Sequence, residues 1–227
     1  MKIFYEDDFL KISYSNEFKS DRCLVVFTGV GHAMGAIDIQ REEFYNQHKL
    51  GMVIWITDKK RSWGNNLNIK KISSAVKKFS ENRKIYIIGN SMGGFLAILF
   101  SKFLEAKKVI SFSPQFSVCP DIVPDEKRWM NHRQFIDEYR YKDLSDSFDR
   151  NTKYALLIGD GLQEGIHYSK FIKFSSLSNI ELIRFNDTGH KVASNLKDLN
   201  LLNQSIDTFF NDQSLRNFLN KNSINFE

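Results

Sequence analysis

Short runs of apolar, β-branched and aromatic residues recur along the chain, separated by stretches long enough for helices. The runs Ile3 to Tyr5, Leu10 to Tyr14, Cys23 to Thr28, Met52 to Thr57, Lys84 to Gly89, Lys108 to Ser113, Tyr154 to Gly159 and Ile180 to Phe185 read as strands. From Cys23 onward they are uninterrupted, as in "CLVVFT", "MVIWIT" and "KIYIIG". A strand reads this way when helices cover both faces of its sheet, whereas one-sided burial alternates apolar with polar residues. The first two runs suit an antiparallel edge. The segments around Ile39 to Leu50, Leu67 to Phe79, Gly93 to Leu104, Tyr168 to Leu177 and Val192 to Phe210 are expected to be the covering helices. This alternation predicts an α/β class with a mostly parallel, doubly wound sheet.

One stretch breaks the rhythm. Residues 117–152 are rich in charge and aromatic rings and far exceed a usual connection. They read as an insertion forming part of a lid or binding wall, or as an ordinary helix with long flanks. Arg128, Trp129, His132, Arg133, Tyr139 and Arg140 within it suit an anionic or sugar group, and equally a mixed charged helix. No internal repeat or low-complexity tract interrupts the chain, and its 227 residues suit one domain, 1–227, with a sizeable core.

Composition narrows the function classes. An apolar fraction of 42% with mixed charges is that of a soluble globular protein. The start, "MKIFYEDDFL", carries Glu6, Asp7 and Asp8 where a secretory signal needs an apolar stretch, and no run reaches the length of a membrane span, so the expected location is the cytoplasm. Cys23 and Cys119 stand apart, with no CxxC and no His/Cys cluster at ligand spacing; free thiols and no metal are expected. The net charge of +5 is spread over basic pairs such as Lys70-Lys71 and Arg83-Lys84, the pattern of solvated helix faces. No RNP, zinc-finger or helix-turn-helix signature points to a nucleic acid partner. Oligomeric state is left open.

The chemistry concentrates in "IYIIGNSMGGFLAILF", residues 85–100. "KIYIIG" is a buried strand and "GGFLAILFSKFL" an apolar helix, so Ser91 falls on the turn that joins them. A turn this tight strains its apex and crowds the positions two before and two after it, where Gly89 and Gly93 stand. Ser91 then projects from the C-terminal edge of the sheet beside the N–H groups of a helix start, as a nucleophile needs.

A serine hydroxyl requires a base within hydrogen-bond reach. Of the five histidines, His190 in "NDTGHKVAS" follows the last apolar strand and falls on a loop at the same sheet edge. The orienting acid is expected from "GDGLQEG": Asp160 directly after the penultimate strand is favoured, with Glu164 as its rival and Asp187 shaping the histidine turn. The oxyanion donors are expected to be the N–H groups of Met92 and of Val30 in "GVGHAMG". His32 in that loop and Trp63 in "DKKRSWGNN" are candidate substrate-binding walls, or a solvent-facing histidine and a cover for the core edge.

Gly89-Asn90-Ser91-Met92-Gly93, followed in chain order by an acid and then His190, resembles the α/β-hydrolase superfamily in its nucleophile elbow and triad order. The layout matches over nearly the whole chain, and the insertion at 117–152 stands after the sixth strand, where that family commonly carries a cap. The first oxyanion loop reads "FTGVG" in place of the family's common His-Gly pair, and the acid turn lacks the usual spacing. "GNSMGGF", "SFSPQFS" and "DKKRSW" are also similar to bacterial hydrolase-like proteins associated with surface polysaccharide biosynthesis. The resemblance implies a serine hydrolase that cleaves a carboxylic ester, a short acyl ester or an acylated sugar, through an acyl-enzyme, with no metal or organic cofactor. The alternatives are an acyltransferase acting on a glycan with the same residues, and a catalytically silent scaffold that binds a partner.

Overall fold

The computed structural model describes residues 1–15, 20–31 and 40–227. Its centre is an eight-stranded sheet made of β1 (Lys2–Glu6), β2 (Leu10–Tyr14), β3 (Arg22–Phe27), β4 (Met52–Asp58), β5 (Lys84–Asn90), β6 (Lys108–Phe112), β7 (Lys153–Gly159) and β8 (Ile180–Phe185). The spatial order is β1-β2-β4-β3-β5-β6-β7-β8, so the strand carrying the serine turn lies inside the sheet between β3 and β6. β1 and β2 form the expected antiparallel edge, and β2 joins the rest antiparallel to β4. From β4 to β8 every neighbouring pair is parallel.

The uninterrupted strands are buried on both faces. Along β5, Ile87 packs into one core with α1 (Ile69–Ser80), α2 (Met92–Ser101) and α4 (Leu162–Phe171). Tyr86 and Ile88 pack into the other core with α5 (Val192–Asp198), α6 (Leu202–Phe210) and α7 (Leu215–Lys221). α2 is buried over its entire length, which explains an apolar sequence with no polar face. α1 shows the opposite pattern: Ile72, Ala75 and Val76 form an inward stripe, and the Asn68 side chain accepts the Lys71 N–H at the start. At the far edge, backbone hydrogen bonds pair Arg184 with Glu227 and so cover part of β8 with the C-terminal residues.

Three expected helices differ. Ile39 lies outside the described residues, residues 40–44 are irregular, and only Tyr45–Leu50 is helical, as a 3-10 turn. Tertiary bonds hold this segment open: Gln40 Nε2 donates to the carbonyls of Gly29 and Asp58, and the Trp55 indole donates to the Glu43 carbonyl. α4 starts at Leu162 and not near Tyr168, because its inward stripe is Glu164, His167 and Phe171, and apolar periodicity does not register the two titratable members. The segment from Val192 to Phe210 is two helices, broken where Asn200 takes φ 59°.

Between β6 and β7 the long connection is mostly irregular, with one helical turn, α3 (Met130–Arg133). Among the described residues no helix is long and apolar enough to cross a membrane.

Candidate active site

β5 ends at Asn90 and α2 begins at Met92, leaving Ser91 alone at the apex with φ 57° and ψ −122°. A non-glycine residue here carries strain of about 1–3 kcal/mol, which the surrounding packing must hold. That packing is close: a Cβ on Gly89 would stand 1.9 Å from the Gly93 carbonyl oxygen, and one on Gly93 would stand 2.1 Å from the Phe27 carbonyl oxygen. The Ser91 N–H donates to the Phe112 carbonyl at 2.8 Å, pinning the apex to β6. Ser91 is only 5% exposed.

His190 comes from the loop after β8, in a 3-10 turn over Gly189–Lys191. Its Nε2 lies 2.9 Å from Ser91 Oγ, and its Nδ1 lies 3.0 Å from Glu164 Oε1. Asp160, the favoured acid, is not the partner of the imidazole. Its oxygens accept the N–H groups of Asp187, Thr188 and Gly189 at 2.7, 3.0 and 3.0 Å, so it moulds the loop that delivers His190. These backbone donors, Gly189 foremost, hold its carboxyl below the usual range. Glu164 takes the place beside Nδ1 because α4 starts early enough to put it in the first turn. Burial raises the Glu164 pKa, but the hydrogen bond and charge of His190 and the charge of Arg128 outweigh it and leave the carboxyl below its ordinary value.

The long connection supplies the next layer. Arg128 Nη1 bonds Glu164 Oε1 and lies 3.3 Å from His190 Nδ1, while Nη2 is 2.5 Å from Glu126 Oε2. His167 Nδ1 accepts the Phe116 N–H at 3.2 Å, which leaves Nε2 to donate to Glu126 at 2.8 Å. Burial lowers the His167 pKa and keeps the ring neutral. For Glu126 burial acts upward and is overcome by the bonds from His167 and Arg128, which bring it down to about 2. Trp129 stands beside the catalytic histidine candidate, its ring centroid 5.8 Å from that of His190. Arg133 is buried and bonds the Glu126 carbonyl, so it anchors the connection and does not face a ligand.

The loop after β3 lies against the serine turn: a Cβ on Gly29 would stand 3.0 Å from the Asn90 carbonyl oxygen. Val30 is buried there, its carbonyl accepting Arg61 Nε at 2.9 Å. Met92, the other expected donor, is the first residue of α2. His32 lies outside the described residues. Trp63 is not an open pocket wall: it is 0% exposed and belongs to the core. Its indole donates to Gln115 Oε1 at 3.1 Å, and Gln115 Nε2 donates to Ser91 Oγ at 3.1 Å. Sequence reasoning passed over Gln115, although "SFSPQFS" contains it, since nothing local marks a glutamine as the neighbour of a serine on another strand.

Beside the serine turn is a cavity of about 810 Å³, lined by Gly31, Glu43, Tyr45, Asn90, Lys197 and Asn203 among others. Burial pushes Glu43 up to about 7 against the opposing N–H of Gly29. Among the described residues no group of His, Cys, Asp and Glu side chains is arranged to hold a metal ion, and both cysteines are buried and free.

No protein-family model matches the sequence. No curated protein matches it significantly. Solved structures do. The capsule O-acetyltransferase of Neisseria meningitidis serogroup A, in complex with CoA, is 13% identical with a TM-score of 0.61, over 86% of this chain and 92% of that one. An α/β serine hydrolase without lid from Xanthomonas campestris is 14% identical with a TM-score of 0.55, over 88% and 89%. An esterase from Pyrococcus furiosus is 16% identical with a TM-score of 0.54, over 86% and 84%.

Proposed function

We propose that this chain, which has the α/β-hydrolase fold, is a serine-dependent enzyme that cleaves a carboxylic ester through an acyl-enzyme on Ser91. One observation carries the reading: a continuous hydrogen-bonded chain from Ser91 Oγ through His190 to Glu164, at 2.9 and 3.0 Å, on a strained strand-to-helix apex. Ser91 Oγ attacks the acyl carbon as His190 Nε2 takes its proton. The ionised Glu164 accepts from Nδ1–H, holds the productive tautomer and balances the imidazolium. Val30 and Met92 N–H groups receive the tetrahedral oxyanion. His190 then returns the proton to the leaving group, the oxygen of an ester or the sulfur of a thioester, and a second nucleophile, deprotonated by the same imidazole, releases the acyl group from Ser91. The cavity beside the turn receives the part of the substrate remote from the reacting carbonyl.

With water as second nucleophile the enzyme is an esterase; with a hydroxyl of a sugar it is an acyltransferase. One observation favours the second: the likeness to a capsule O-acetyltransferase seen with CoA. Acetyl-CoA then supplies the acyl group as a thioester and leaves as the thiol.

A fluorophosphonate probe tests the nucleophile. One adduct is expected on the wild type by intact mass, none on Ser91→Ala, and a rate slowed about a thousandfold on His190→Ala. A folded wild type that takes no label would remove the enzyme reading and leave the binding scaffold. Incubation with acetyl-CoA and a soluble polysaccharide then separates the two enzymes: acetylated glycan marks transfer, free acetate alone marks hydrolysis.

A further inference from the structure

We propose that Gln115 is a further catalytic residue of this site: its amide, oriented by Trp63, donates to Ser91 Oγ, directs the serine proton to His190, and stabilises the charge on Oγ in both half-reactions. The inference rests on the acyl-enzyme reading above.

An amide side chain can face either way, but here its direction is decided by chemistry. An indole N–H donates and cannot accept. Trp63 Nε1 lies 3.1 Å from one end of the Gln115 amide, so that end is the oxygen, and the NH₂ end is the one 3.1 Å from Ser91 Oγ. Trp63 has no freedom to change this. Both it and Gln115 are fully buried, and Asp58 Oδ2 gathers the loop around Trp63 by accepting the N–H groups of Ser62 and Gly64 at 2.9 and 3.0 Å.

The polarity then propagates. Oγ accepts from Gln115, and among the described residues its other hydrogen-bond partner is His190 Nε2 at 2.9 Å, so the serine proton is satisfied when Nε2 accepts it. Nε2 is therefore an acceptor, and the imidazole proton sits on Nδ1, donated to Glu164 at 3.0 Å. Arg128 Nη1 stands 3.3 Å from that same Nδ1 and favours the opposite tautomer, in which Nδ1 accepts and Nε2–H points at the serine. Such a ring cannot take the serine proton. The Trp63–Gln115 pair opposes this unproductive state, because a serine oxygen that accepted from both Gln115 and His190 would leave its own proton without the base.

The same N–H follows the charge during reaction. Oγ becomes more negative as its proton leaves, and again when the C–Oγ bond of the acyl-enzyme breaks and the electron pair returns to oxygen before His190 reprotonates it. A neutral donor already in place and shielded from water needs no reorganisation at either moment. The sequence segment "SFSPQFS" thereby acquires a role that its pattern alone did not suggest.

Two substitutions and one spectrum test this. Gln115→Met removes the donor with similar bulk, and Gln115→Glu keeps an oxygen for Trp63 while placing, at alkaline pH where its buried carboxyl is ionised, an oxygen and not a donor at Ser91. Both are expected to lower kcat/KM for p-nitrophenyl acetate by about a hundredfold, mostly in kcat, with fluorophosphonate labelling slowed in parallel. A residue that merely packed against Trp63 would predict near wild-type behaviour in both variants; activity and labelling within about threefold of wild type in Gln115→Met, or in Gln115→Glu at a pH where its carboxyl is ionised, would overturn the proposal. In the unsubstituted protein, nitrogen NMR at neutral pH should show the His190 proton on Nδ1, and a resting Nε2–H tautomer would overturn it independently of any variant. A wild type that labels at Ser91 while the Gln115 variants match it defeats this inference alone, whereas a wild type that never labels defeats the acyl-enzyme reading as well.

Discussion

Asp160 precedes α4 and Glu164 lies in its first turn, and the two carboxylates face different partners. Asp160 spends its oxygens on three backbone N–H groups of the histidine loop, while Glu164 meets the imidazole. Glu164→Gln is expected to lower kcat/KM roughly a thousandfold by weakening the hold on the Nδ1–H tautomer and removing the charge that balances the imidazolium. Asp160→Ala should instead destabilise the fold by about 1–2 kcal/mol, through donors left without their acceptor, and slow turnover by less than about tenfold. Parallel kinetics and thermal melts of the two variants check the assignment; the reverse ranking in kcat/KM would return the acid's role to Asp160. At this scale Ser91 and His190 were legible because a glycine-flanked serine between strand and helix, and a histidine after the last strand, are positions with few alternatives. The choice of acid was not, since it turns on where α4 begins.

The element that begins there, α4, also ties down the long connection. Its Glu164 and His167 lie one turn apart on the buried face and bind Arg128 and Glu126 from the connection. This gives stability a pH dependence of known sign. Glu126 is held at about 2 against an ordinary 4.5, so its contribution is complete above about 4.5 and is lost as pH falls toward 2. His167 is held below its ordinary 6.5 by burial, so the unfolded chain takes up a proton that the folded one refuses, and stability falls as pH drops below 6.5. Glu43, raised to about 7 by burial, acts the other way between about 7 and 4.5, so the His167 contribution is read as a difference: relative to His167→Gln, which is less stable throughout, the wild-type melting midpoint should lose its advantage on acidification from just under 6.5. Calorimetry across pH 4 to 8 checks this; superimposable wild-type and variant profiles would contradict it. The helix was placed too late in the sequence reading because two of its inward residues are charged or titratable, and burial of such groups follows from partners, not from periodicity.

Across the whole molecule, the loop after β3, the 3-10 turn at Tyr45–Leu50, the serine turn, α5 and α6 converge on one cavity. Arg41 and Lys197 line that cavity together with Glu42 and Glu43, and the two cations suit a phosphate-bearing substrate part. Under the proposed acyl transfer from acetyl-CoA, Lys197→Ala should raise KM for that donor about three- to tenfold, more at low salt, while leaving p-nitrophenyl acetate unaffected, because that small ester carries no charge to the cavity. Equal effects on both substrates, or none on either, would place acetyl-CoA elsewhere. The sequence by itself determined the strands, the two-sided burial of the parallel sheet, the antiparallel edge and the serine at the apex. All of these rest on local properties: apolar runs, β-branched residues, and glycines where a turn leaves no room for a Cβ. Only the tertiary structure decided that Glu164 and not Asp160 meets His190, that Trp63 lies inside the core, and that Gln115 stands against Ser91 and Arg128 against Glu164. Each of those contacts joins residues from separate loops and helices through a hydrogen bond whose direction and reach depend on where the backbone carries them, and a side chain's partner across the sheet edge leaves no trace in its sequence neighbours.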